Sequence, residues 1–345
     1  MVNIRVAAPV DSDALVQLTA LTAMKGTISL RIDREPDFFA LLKERGDYTV
    51  FIAEDGIEVI GSLSIACQKS YINGKAASVY YLGDLKVHPA YLKSTVAYRL
   101  LRAMQAYLLS ITADLLLCTA ALGNGSAMPL FKGRAGFHKF KQFTTFSVFQ
   151  ILPKKAKTLP GYGFYDNSSL LAAFYAEMYK RYVLSPAVFL NGCINFACEI
   201  EQNIKAAVSL YDPTPLKQNV VVDYPLGVAI MLNILKKLKP LLGLGPIPQK
   251  NEPLRILYIK HYGFMPGFET AFLNLLDRTR NYAFVNNYHF VSIAIDEKDK
   301  SLLSIVKPRS RFVFRSAALL ASLHSNTSIV ESICGGLCFE DYSLI

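Results

Sequence analysis

The apolar positions of this chain change period many times between its ends, and each change marks an element. Residues 3–7 alternate as a short strand, and Asp11-x-Asp13 ahead of periodic apolar residues marks a helix start. Arg34–Arg45 carries Phe38, Phe39, Leu41 and Leu42 on one helical face. Tyr48–Ala53 and Val59–Ala66 flank the turn Glu-Asp-Gly-Ile-Glu as a strand pair. Ser78–Val87 predicts a further strand and Val96–Leu109 a helix. The apolar run Asp114–Ala121 predicts a strand buried on both faces. Phe140–Leu152 alternates again and closes this half.

Pro153–Gly163 is polar and rich in Pro, Gly and Lys, so a linker is expected there. Beyond it the pattern predicts helices over Leu170–Tyr182 and Phe189–Glu199, then strands over Ala206–Tyr211, Val220–Val222 and Leu254–Tyr258. The glycine-bearing turn His261–Gly267 leads into a helix, Phe268–Arg280, followed by strands His289–Ile295 and Ser310–Arg315. This is the element order of the first half with an extra stretch at Leu226–Lys250. No residue-level repeat accompanies it. Two units are expected, residues 1–152 and 160–345.

Composition narrows the class. With 345 residues, 52% apolar and 19% charged, the chain can bury a large core, which excludes a disordered segment. The net charge of +10 divides into +4 over the first 150 residues and +6 over the rest. A surplus spread in this way suits an anionic ligand, an acidic membrane surface or nucleic acid, and does not choose among them. The first residues lack the charged and apolar segments of a signal peptide, and no uncharged run is long enough to span a membrane. The six cysteines have no histidines at zinc-ligand spacing, so reduced thiols in a cytoplasmic protein are expected, with no metal. Phe137–Phe149 interleaves aromatics with lysine as single-strand binders do. A half-buried edge strand accounts for the same alternation, and no nucleic-acid partner is expected. Leu226–Leu244 is apolar with three lysines. It could lie on a membrane surface, meet an acyl chain, or cover the core between the halves, the last being the default.

Two stretches carry the chemistry. Tyr80–Leu101 reads as a strand, a proline turn, a polar loop and an amphipathic helix; Asn124–Phe137 reads as a strand end and a short helix closing on Gly136-Phe137. A loop that opens a helix collects free backbone N–H groups and the positive end of the helix dipole, which is an anion site. In order and spacing the two stretches resemble the GNAT superfamily of acetyl-CoA-dependent N-acetyltransferases. Val87-His88-Pro89 matches that family's V-x-P element, with Tyr91 where an aromatic is common. Ala97 matches the phosphate loop, whereas Leu92 and Thr95 replace its basic or amide residue and its first glycine. Asn124, Ala127, Leu130, Phe131 and Gly136-Phe137 match the second motif. The resemblance covers residues 1–152 and implies an α/β fold with a mixed sheet, here two GNAT-like domains in tandem, the second degenerate.

The resemblance also implies site roles. Leu85 and Val87 would pair with the pantetheine arm of acetyl-CoA or a related acyl-CoA. The N–H groups of Lys93, Ser94, Thr95, Val96 and Ala97 would cradle its pyrophosphate, with Asn124 and Phe131 completing the site. The family often carries Glu-Asp on the strand before V-x-P. Gly83 takes the Glu position and Asp84 the other, so Asp84 is the candidate base, provided burial raises its pKa. The family's tyrosine acid is replaced by Phe131, which leaves Tyr91, Ser126 or water as substitute donor, or a catalytically impaired half. The expected activity is acyl transfer to the amine of a small molecule or peptide. The alternative is a non-catalytic acyl-CoA-binding protein of the same fold.

Overall fold

The structure, a computed structural model, describes residues 2–24, 29–122, 140–156, 161–242 and 245–345. In the first half the strands are β1 (Asn3–Val6), β2 (Ala23–Met24), β3 (Ser29–Asp33), β4 (Asp47–Asp55), β5 (Glu58–Ile72), β6 (Lys75–Val87), β7 (Leu115–Ala121) and β8 (Lys141–Ile151). The helices there are α1 (Ser12–Ala20), α2 (Ala40–Arg45) and α3 (Val96–Ser110). The second half contains β9 (Tyr162–Phe164), α4 (Ser168–Tyr179), β10 (Leu184–Pro186), β11 (Ile194–Ile200), β12 (Asn203–Tyr211), β13 (Gln218–Asp223) and α5 (Leu226–Leu242). It continues through β14 (Pro253–Leu254), β15 (Ile256–Phe264), α6 (Glu269–Val285), β16 (Phe290–Asp296), α7 (Lys300–Val306), β17 (Phe312–Ser322) and α8 (Thr327–Gly335).

One mixed sheet runs through both halves in the order β1-β4-β5-β6-β7-β17-β8-β16-β15-β12-β11-β9, with β10 attached to β5. The halves exchange their last strands. β17 pairs with β7, Ser316 opposite Ala121 through Ser322 opposite Leu115, and β8 pairs with β16. The cores follow the exchange. Leu319, Ala321 and Leu323 pack with Leu100, Met104 and Leu116, while Phe149 and Ile151 pack with Leu257, Phe272 and Val291. A smaller sheet, β14-β13-β3-β2, also mixes the halves.

Three local expectations are corrected. The stretch Phe189–Glu199 is not a helix: a turn at Gly192, with φ +69°, precedes β11, whose Phe196 is fully buried between β9 and β12. Pro36 disfavours helical backbone at Glu35, so of Arg34–Arg45 only Ala40–Arg45 forms the helix. The strand at 141–151 is central rather than an edge, flanked by β17 and β16, with Phe146 and Phe149 buried. Along α5, Leu226, Ile230 and Ile234 are 77%, 53% and 52% exposed, so this face of the helix is open to solvent. No helix among the described residues is long and apolar enough to cross a membrane.

Candidate functional site

Strand β6 runs parallel to β7 only from Val79 to Tyr81, opposite Leu115–Leu117. Beyond Tyr81 the two diverge, and Leu82–Val87 keep β5 on one side only. At the start of the divergence β6 bulges: Ser64 lies opposite Gly83, yet Ser62 lies opposite Lys86. The bulge places Asp84 in left-handed backbone, φ +49°, a conformation Asp tolerates better than most residues. Ser62 Oγ donates to the Asp84 carbonyl at 2.9 Å. Ser64 Oγ donates to Oδ2 of the carboxylate at 2.8 Å, and Arg34 Nη2 donates to Oδ1 at 2.6 Å.

Burial pushes the Asp84 pKa up, but Arg34, Ser64 and Lys86 outweigh it and hold the carboxyl below its ordinary range. Raising by burial, which the role of base requires, is therefore not what the environment produces. The Lys86 ammonium is pulled down by burial while Asp84 opposes that shift, and its Nζ donates to Thr22 Oγ1 at 3.2 Å.

The loop after β6 tightens into a 3₁₀ turn at Pro89–Tyr91, and α3 begins at Val96. Ser94 Oγ donates to the Tyr91 carbonyl at 2.6 Å and accepts from Val96 N at 3.2 Å. Thr95 sits at the N-cap without a side-chain cap, and the first turn holds no acidic residue. No carboxylate of its own first turn offsets the positive end of this 15-residue helix. Lys93 is exposed beside it. Gly61 on β5 lets the helix approach: a Cβ there would stand 2.7 Å from Val96 Cγ1.

Asp84, Leu85 and Val87 therefore lie along the diverging part of β6, and Lys93–Ala97 form the loop and helix start that follow it. Tyr91 is directed elsewhere: its hydroxyl donates to Asp55 Oδ2 at 3.0 Å, on β4, beyond β5 from the opening. Asn124, Phe131 and Gly136-Phe137 lie outside the described residues. Sequence reasoning missed Arg34 and Lys217, which reach this region through the β3–β13 pairing. Neither carries a local motif, and both sit at strand ends that no periodicity marks.

The second half repeats the geometry with different contents. β15 runs parallel to β16 only from Ile256 to Tyr258, opposite Phe290–Ser292, and continues to Phe264. His261 stands three residues past Tyr258, as Asp84 stands three past Tyr81. His261 Nδ1 meets the Tyr179 hydroxyl at 3.0 Å and Nε2 meets the Phe189 carbonyl at 3.2 Å. Burial lowers its pKa to about 4, so the ring is neutral at pH 7. The rings of Tyr175, Tyr179 and Phe339 pack around it at 5.5, 6.0 and 6.3 Å, and Tyr182 and Tyr262 belong to the same core cluster as these rings. A cavity of about 30 Å³, lined by Met178, Tyr182, Tyr262 and Gly263 among others, adjoins this packing. That is room for a water or two. Glu269 occupies the first turn of α6 and accepts from Gly267 N at 3.4 Å, a first-turn carboxylate that α3 lacks.

A continuous mixed sheet in which each half opens between two parallel strands ahead of a helix is the GNAT acyltransferase fold. Solved structures agree over most of the chain. N-myristoyltransferase of Saccharomyces cerevisiae with bound myristoyl-CoA superposes with a TM-score of 0.62 at 11% identity, over 93% of this chain and 82% of that one. A conserved protein of Enterococcus faecalis V583, described as a probable N-acyltransferase, gives 0.57 at 8% identity, over 95% and 74%. A GCN5-related N-acetyltransferase from Anabaena variabilis gives 0.54 at 9% identity, over 94% and 73%. No family model and no curated protein matches the sequence.

Proposed function

We propose that this chain is an acyltransferase that moves an acetyl or longer acyl group from an acyl-CoA to an amine, using the opening between β6 and β7. The observation that carries the reading is a helix start, α3, with no acidic residue in its first turn, directly after the diverging strand. The N–H groups of Lys93–Ala97, with the Lys93 charge, suit the pyrophosphate, and the free edge of β6 at Leu85 and Val87 suits the pantetheine amides. Asn124 and Phe131 belong to the same proposal. The fold neighbour with bound myristoyl-CoA adds weight to an acyl-CoA ligand. The second half holds no acyl-CoA in this reading, because aromatic rings pack its opening.

In the reaction the amine nitrogen bonds to the thioester carbonyl carbon, the C–S bond breaks with its electron pair going to sulfur, and the nitrogen loses a proton. A carboxylate held as low as Asp84 is a weak proton acceptor. We therefore assign Asp84 to fixing Arg34 at the opening, and let the acceptor enter as free amine in equilibrium with solvent. kcat/KM then rises with pH up to the acceptor's own pKa, and the profile keeps its shape in Asp84→Asn. A lost pH limb in that variant would instead make Asp84 the base.

One observation favours the second reading, a non-catalytic acyl-CoA-binding protein: the Asp84 carboxylate is engaged by Arg34. Calorimetric titration of acetyl-CoA and of longer acyl-CoAs into the wild type and Asn124→Ala, followed by an amine screen, separates the two. Binding weakened by Asn124→Ala, together with CoA release on adding an amine, supports transfer. Binding with no turnover on any amine supports the second reading, and no binding at all overturns both.

A further inference from the structure

Three cations gather near the Asp84 carboxylate, Arg34, Lys86 and Lys217, and the Arg34 charge lowers the pKa of both lysines. Arg34 and Lys217 are 6% and 2% exposed. They face each other at the end of the small sheet, because Asp33 pairs with Gln218 and the next residues outward are Arg34 and Lys217. Like charges directly opposite on neighbouring strands are destabilising, and burial makes them more so. Lys217 has protein partners: Nζ donates to the Ile345 carbonyl and lies 5.2 Å from the Tyr258 ring. Arg34 is less well served. Nη2 bonds Asp84 and the guanidinium carbon lies 5.9 Å from the Phe38 ring. Nε and Nη1 are buried, and no acceptor among the described residues pairs with either. Unpaired buried donors on a cation are expensive.

We infer that Arg34, assisted by Lys217, receives the carboxylate of the acyl acceptor, and that the acceptor is a free amino acid, its amine presented at the β6–β7 opening. A flat guanidinium with unused N–H donors matches a planar carboxylate better than a point cation does. At 6% and 2% exposure Arg34 and Lys217 are out of reach of a folded partner, which limits the proposed ligand to a small molecule. Lys217 titrates at about 7, depressed by burial, Arg34 and Arg45 and supported by Asp341 and Asp84, so an arriving carboxylate would favour its protonated form. The inference rests on the acyltransferase reading only for the role of the amine, since carboxylate binding can be measured without turnover.

The experiment is calorimetric binding of the twenty amino acids to the full chain, each with and without CoA, repeated with the carboxamides of those that bind. The expected result is an amino acid that binds at least about tenfold more tightly than its amide, the scale of one charge-assisted hydrogen bond. Arg34→Met should abolish that preference and Arg34→Lys should retain part of it. Should Arg34→Met fail to fold, Asp84→Asn decides: it releases Arg34 from its internal partner and should tighten carboxylate binding severalfold. Equal binding of acids and amides, an unchanged preference in Asp84→Asn, or no binding by any of the twenty while acyl-CoA binds overturns the inference and leaves the acyltransferase reading standing. Amino acid binding with no acyl-CoA binding does the reverse.

Discussion

The two strand openings of this molecule have the same strand pairing and opposite contents. Each follows three parallel register pairs, each contains a bulge, and each places a titratable residue three positions past the last pair. In the first that residue is Asp84, surrounded by cations and hydroxyls. In the second it is His261, neutral and enclosed by Tyr175, Tyr179 and Phe339. The helix after the first opening has no acidic residue in its first turn, and the helix after the second carries Glu269 there. Topology alone therefore does not make a site. An opening lined by fixed charge can receive a ligand, whereas one filled by rings serves as core, where close packing and desolvated hydrogen bonds stabilise the sheet.

The largest effect should come from breaking the charged side of the comparison. Arg34→Met strands the Asp84 carboxylate in a buried setting, and loss of one partner of such a pair costs about 3–5 kcal/mol. Urea denaturation should show a loss of unfolding free energy of that order. A loss below about 1 kcal/mol would mean that water already screens the pair.

The next effect sharpens the comparison through pH. His261 is depressed from 6.5 to about 4, so between those values the folded state binds fewer protons than the unfolded state, and stability rises with pH. Glu340, which sits on the charged side beside Gln68 and Arg45, is raised by burial from 4.5 to about 7. The folded state there binds more protons, and stability falls as pH rises. The two slopes oppose each other between pH 4.5 and 6.5. Glu340→Gln should expose a rise across that window of about 2 kcal/mol, and His261→Gln a fall of similar size. Denaturation midpoints at several pH values check both. Matching slopes in the two variants would refute the opposition.

Paired glycine substitutions come third. A Cβ at Gly61 would press on Val96 at 2.7 Å, and one at Gly263 on Met178 Cγ at 2.8 Å. Gly61→Ala and Gly263→Ala should each cost about 1–3 kcal/mol by overpacking. Only Gly61→Ala should weaken acyl-CoA binding, because only it displaces the start of α3. Calorimetry on both variants tests the contrast, and equal losses would mean that the two openings are not functionally distinct. The smallest effect is Lys93→Ala, an exposed charge worth about 0.2–1 kcal/mol, which should appear as a severalfold weaker acyl-CoA affinity that fades at high salt.

The sequence by itself determined the local elements and the order in which they follow. Strand-length apolar segments bounded by turns marked β4 to β7, the amphipathic run marked α3, and the strand–loop–helix at Val87–Ala97 marked the proposed anion site, because each depends on residues close in the chain. The tertiary structure alone decided the exchange of β8 and β17, the place of the 141–151 strand in the middle of the sheet, and the small sheet that joins β3 to β13. Strand pairing over such separations leaves no local period. It also decided the charge state of Asp84. A carboxylate's pKa depends on the cations that folding brings beside it, and Arg34 lies fifty residues away, with Lys217 farther still.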